Sequence, residues 1–177
     1  MFFKATQDDK DVVTPFTYNG PTTGSEYMRN NNIRAAAWGY IFERNILGDL
    51  RFTPGLLHED EEFTPQLVLN MHSIYCTPAK AYFYRQRKDS ITHADNKEAQ
   101  NKRLADIFNV ILHLKDIADG CDGVRAKSME RRVAQLSMDF LVNVIRMTKS
   151  RKQLNHAIEL LKKHDLYPLP DNKYTPE

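Results

Sequence analysis

The chain has 177 residues, is 41% apolar and carries a formal net charge of +2. That length sets one domain, with room for an appended helical piece. That charge is too small for a whole-molecule field that would drive attachment to nucleic acid or to a lipid surface.

Cys76 and Cys121 have no metal-ligand spacing and read as reduced thiols of a cytosolic protein. The opening MFFKATQDDK lacks the basic start and long apolar centre of a signal peptide. No apolar run approaches the roughly 18 to 20 residues of a membrane span. The chain is therefore expected to be cytoplasmic and at most peripheral to a membrane.

In chain order, DVVTPFTYNGPTTG offers β-branched and aromatic residues that end at a turn, Asn19-Gly20-Pro21. Thr23 or Ser25 is placed to cap a short helix through Tyr27 and Met28. In AAAWGYIFERNIL the residues Trp38, Ile41, Phe42, Ile46 and Leu47 fall near helical spacing, which predicts a buried turn feeding a helix. Asp60 or Thr64 opens the next helix, with Phe63, Leu67, Leu69 and Met71 as its apolar contacts. SIYCTPAKAYFYRQR is rich in strand formers and broken by Thr77-Pro78, which predicts two short strands over 73–76 and 79–85.

The texture changes near residue 93. Leu104, Ile107, Phe108, Ile111, Leu112 and Leu114 make one helical stripe, which Gly120 and Gly123 interrupt. Val133, Leu136, Phe140, Val144 and Met147 make a second stripe, and Leu154, Ile158 and Leu161 a third. They predict a helical hairpin plus a third helix, ending in the proline-punctuated YPLPDNKYTPE. The expected fold class is thus α/β, or α+β as the chain stands, with a small mixed sheet and short helices over 1–93 and a helical region over 94–177.

Four consecutive acids, Glu59 to Glu62, lie just before an apolar run. Acids in the first turn of a helix are favoured by its dipole, by roughly 0.3 to 1 kcal/mol each, and that alone accounts for a solvated acidic corner. Successive helical side chains point about 100° apart, so one or two of the four can face a cleft while the others face water. A carboxylate in such a cleft can take the proton of an attacking hydroxyl. Downstream, YFYRQRKDSIT gathers Arg85, Arg87 and Lys88 beside Ser90 and Thr92, the forks and hydroxyls that a diphosphate leaving group requires.

The stretch from Ala35 to Thr92 resembles the second half of bacterial family 2 glycosyltransferases, inverting enzymes with the GT-A fold. The match rests on Trp38 with Tyr40-Ile41-Phe42, Leu47, Phe52, His58-Glu59-Asp60-Glu61 with Phe63, and Tyr82-Phe83-Tyr84-Arg85 with Arg87, Ser90, Ile91 and Thr92. Their order and spacing agree over about residues 20 to 93. The resemblance implies a partial GT-A fold, with Asp60 as catalytic base and Glu59 beside it facing the acceptor. It further implies that Arg85 and Ser90, with Arg87, hold the nucleotide diphosphate, and that Trp38 shapes the acceptor side. The implied partners are a nucleotide-sugar donor and a glycan or lipid-linked acceptor of surface polysaccharide or lipopolysaccharide synthesis.

Such enzymes open with a nucleotide-binding half and an Asp-x-Asp motif that holds manganese or magnesium on the diphosphate. Neither is evident here. Asp9-Lys10-Asp11 spells the motif but reads as a polar surface loop, so no metal ligand is assigned in this chain. The expectation is an acceptor-side half, inactive alone, whose sheet edge pairs with a missing donor half or a second copy. The other functional class compatible with the residues is a non-catalytic helical interaction module. Nucleic-acid binding is not expected, because no basic stripe interleaves with aromatics.

Overall fold

The computed structural model describes residues 2–7, 10–11, 20–83 and 97–170. These residues are mixed in class but mostly helical, and they do not establish the α/β class. The chain divides into two compact units, Met1–Pro54 with Glu59–Asp95, and Gly55–His58 with Asn96–Glu177. Among the described residues no helix is long and apolar enough to cross a membrane.

In the first unit β1 (Phe2–Gln7) lies between β2 (Lys10–Asp11) and β3 (Cys76–Phe83). It is antiparallel to β2, with Thr6 opposite Asp11 and Gln7 opposite Lys10, and parallel to β3. Lys10 and Asp11 therefore pair in a sheet instead of lying in a surface loop.

The helix foreseen at Thr23 is α1 (Gly24–Asn30). The Thr23 hydroxyl accepts from the Glu26 N–H while the Glu26 carboxylate accepts from the Thr23 N–H, so two otherwise orphaned donors are met. Tyr27 and Met28 turn inward from it.

α2 (Glu59–Leu69) takes the earlier of the two starts the sequence offered, so Pro65 falls inside the helix, not in its first turn. Proline removes an intrahelical donor there. The Gln66 side-chain amide donates to the Glu62 carbonyl at 3.0 Å, an added bond at the disturbed turn. Phe63, Leu67, Leu69 and Met71 are all buried, as their spacing requires.

α1 and α2 approach more closely than side chains permit. A Cβ on Gly24 would stand 1.7 Å from the Val68 carbonyl oxygen. The absence of one lets the Gly24 N–H reach the Met71 carbonyl at 2.8 Å.

Two expectations fail in this unit. Residues 38 to 47 do not form a helix; only Arg44–Leu47 makes a 3-10 turn. Residues 36 to 39 do turn as expected, with the Gly39 N–H on the Ala36 carbonyl, but no helix follows directly, because Tyr40 is drawn into a bridge with Phe2. Ile41 and Phe42 then face outward, and the apparent helical spacing is coincidental. The two strands predicted around Thr77-Pro78 are one. β3 runs through the proline because its register against β1 shifts there, from Phe2 opposite Cys76 to Lys4 opposite Lys80. A bulge of this kind is where a strand tolerates a residue without an N–H. The Thr77 hydroxyl accepts from the Ala79 N–H within it. Ile74 lies before the strand, in an isolated bridge with Thr22.

Cys76 is buried and Cys121 half-buried, and both are free thiols. Burial pushes the Cys76 thiol up, which keeps it protonated and unreactive.

In the second unit α3 (Lys97–Asp119), α4 (Gly123–Thr148) and α5 (Arg151–Lys163) carry the three stripes. Ile107, Ile111, Leu114, Val133, Leu136, Phe140, Val144 and Leu161 are buried as their periodicity predicts. Leu104, Phe108, Leu112, Met147, Leu154 and Ile158 are half-buried at the margins. Gly123 opens α4 at a φ of 53°, which suits glycine. Only Lys149 and Ser150 separate α4 from α5, and the Ser150 hydroxyl caps α5 by accepting from the Gln153 N–H at 3.4 Å. The tetrapeptide Gly55–His58 packs with these helices. The Asp106 carboxylate accepts from the Leu57 N–H at 2.8 Å and from Lys102 at 2.6 Å, and Lys102 also donates to the Gly55 carbonyl at 3.0 Å.

Candidate functional site

The acidic run forms the first turn of α2. Its start is sharp, because His58 sits at a φ of 74°, in the left-handed region that a histidine adopts only when its surroundings hold it there. From that corner the four carboxylates fan out. Glu59 is exposed, Asp60 and Glu61 are half-buried, and Glu62 is buried at 7% exposure.

Asp60 and Glu62 are each tethered. One Asp60 oxygen accepts from the Glu61 N–H at 2.9 Å, which fixes the plane of its carboxylate on the helix start. The Glu62 carboxylate accepts from the Thr53 hydroxyl at 2.5 Å, and Phe52 stacks on Phe63 beside it with ring centres 4.1 Å apart. This clip ties the stretch before α2 to its first turn. No local feature of the chain marks it beforehand, since Glu62 looks like its three neighbours and its partner lies nine residues upstream.

Behind Asp60 runs a buried chain of hydroxyls. The Thr64 hydroxyl donates to the Ala35 carbonyl at 3.1 Å and meets the Tyr40 hydroxyl at 2.9 Å. Thr64 has one proton and spends it on Ala35, so Tyr40 is the donor to Thr64. Burial pushes the Tyr40 phenol up, the bond to Thr64 opposes this, and the nearby charge of Asp60 adds to the rise. The phenol therefore stays protonated.

Trp38 is half-buried, with two partners on its ring. Tyr82 of β3 stacks on it at 5.2 Å and 11°, and the Arg34 guanidinium stands 4.9 Å from its ring centre. A groove of about 350 Å³ in the same unit is lined by Ile41, Phe42, Glu43, Ile46, Met71 and Ser73, and none of the candidate site residues lines it.

The structure thus groups Asp60 with Tyr40 and Thr64, and Trp38 with Arg34 and Tyr82, while Glu59 stands on the exposed side of the same helix start. Arg85, Arg87 and Ser90 lie outside the described residues, as does Asp9. Among the described residues no group of three or more His, Cys, Asp or Glu side chains could hold a metal ion, so the implied divalent cation finds no donor set there.

No protein-family model, no curated protein and no solved structure matches this chain.

Proposed function

We propose that the first unit is the acceptor side of an inverting, nucleotide-sugar-dependent glycosyltransferase with a partial GT-A fold, and that Asp60 is its base. The observation that carries this reading is the half-buried Asp60 carboxylate, held by the Glu61 N–H on a sharply started helix and backed by the protonated Tyr40 phenol. Partial burial keeps a carboxylate from full hydration, and a fixed plane aims it. Both suit it to take a hydroxyl proton.

In the proposed step an acceptor sugar hydroxyl gives its proton to Asp60 as its oxygen attacks the anomeric carbon of the donor. The bond from that carbon to the nucleotide diphosphate breaks, and the diphosphate leaves with the electron pair, so the configuration inverts. Glu59, on the exposed side of the turn, contacts the acceptor. Trp38, in ring contact with Arg34 and Tyr82, walls the acceptor side. Arg85, Arg87 and Ser90 take the diphosphate charge. The donor is a nucleotide sugar and the acceptor a glycan or lipid-linked glycan.

The test is sugar transfer by this chain joined to a nucleotide-binding half of the same enzyme class. Asp60→Asn should lower the transfer rate on the order of a hundred- to ten-thousandfold while leaving nucleotide-sugar affinity unchanged. Full activity in that variant overturns the assignment of Asp60 as base, and no transfer by the parent joined chain favours the helical interaction module.

A further inference from the structure

At the junction of α4 and α5 two residues break the rules of their positions. Ile145, in the last turn of α4, is 50% exposed. Lys149 caps that helix at a φ of 50°, in the left-handed conformation where glycine is the usual occupant. A lysine there retains backbone strain and gains an outward ammonium. The Lys149 N–H donates to the Ile145 carbonyl at 3.0 Å, so Ile145, Arg146 and Lys149 all lie within the closing turn of α4. Arg151 and Lys152 follow at once as the first residues of α5. All four basic side chains are exposed.

The surrounding sequence is one-sided. Residues 140 to 158 contain four Lys or Arg and no Asp or Glu. Asp139, two turns back from Arg146 along α4, is an acid whose field reaches it. Between residues 141 and 158 there is also no Phe, Tyr or Trp.

We infer that this corner is a docking surface for an anionic lipid bilayer, with Arg146, Lys149, Arg151 and Lys152 over the headgroups and Ile145 entering the interface. The sign of the charge selects an anionic partner. The exposed aliphatic side chain among the cations selects a lipid interface, whereas single-stranded nucleic acid rewards aromatic stacking, which this corner cannot offer. The whole chain carries only +2, so the attraction is local and falls off within a Debye length. Each cation near an anionic leaflet raises the binding constant roughly fivefold, so four give on the order of several hundredfold over a neutral surface. One aliphatic residue adds little to that, so docking is reversible and salt-sensitive. The surface does not depend on which reaction the first unit performs.

Co-sedimentation of the full chain with vesicles tests it. Binding is expected to phosphatidylcholine vesicles doped with phosphatidylglycerol, not to pure phosphatidylcholine, and to vanish at high salt. A variant with Arg146→Gln, Lys149→Gly, Arg151→Gln and Lys152→Gln should lose on the order of several hundredfold. Circular dichroism checks that it folds, and the Gly at position 149 relieves strain instead of adding it. A variant with Lys97→Gln, Arg125→Gln, Lys127→Gln and Lys163→Gln, of equal charge, should stay within a fewfold of the parent. Equal binding to neutral vesicles, no binding to anionic ones, or an undiminished four-site variant overturns the inference. So does a preference for single-stranded RNA over vesicles that the same four substitutions abolish.

Discussion

The two units are held by different kinds of contact. In the second, three long helices bury apolar stripes whose members repeat every three or four residues, and the burial is shared among many side chains. In the first, short elements are joined by single approaches that have no substitute: a glycine against a carbonyl, a threonine in a capping box, a proline inside a bulge, a hydroxyl chain ending on Ala35. A packing face tolerates a local change because its neighbours still exclude water. A close backbone approach does not.

Gly24→Ala should break the comparison open most visibly. Its Cβ would overlap the Val68 carbonyl oxygen, which is backbone and cannot swing aside. α1 must lift from α2, at a cost near the upper end of the overpacking range, about 3 kcal/mol. Denaturant unfolding followed by fluorescence of Trp38 in the first unit reads it, and a loss near zero would show the approach to be dispensable.

The two hydroxyl caps sharpen the contrast on a smaller scale. Thr23→Ala removes the hydroxyl's bonds with the Glu26 N–H and the Glu26 carboxylate and should cost about 1 kcal/mol, whereas Ser150→Ala removes one long bond and should cost about half of that. The same unfolding assay, run on both variants, ranks them.

The smallest effect concerns pH. Partial burial pushes the Asp106 carboxyl up, but bonds from Lys102 and the Leu57 N–H outweigh it and hold the group below the usual carboxylate range. A depressed folded pKa means a contribution that is complete above the unfolded value of about 3.9 and lost as pH falls through the folded one. Thermal stability should therefore decline below about pH 4, and Asp106→Asn should flatten that part of the profile.

The same contrast explains how much the sequence made legible. The stripes of α3, α4 and α5 could be read because helical burial is periodic. The caps at Thr23 and the burial of Phe63 and Leu67 could be read because their signals are local. Residues 38 to 47 misled because Tyr40 answers to Phe2, far away in sequence, and not to its neighbours at helical spacing. The single strand through Pro78 misled because the bulge that accommodates it is a property of the pairing with β1. At the candidate site, Asp60 and Trp38 could be named beforehand. The groups around them could not, since Tyr40, Thr64 and Tyr82 meet them only after the chain folds.

The contact between α1 and α2 also bears on why so many acids are tolerated together. The amide end of α1 abuts the carbonyl end of α2, where Gly24 N–H meets Met71 just past the last turn. That last turn has no basic residue, and the first turn has four acids. Backbone thus neutralises one pole of the helix without a lysine, and α2 keeps all of its ionic character at the opposite pole, around Asp60.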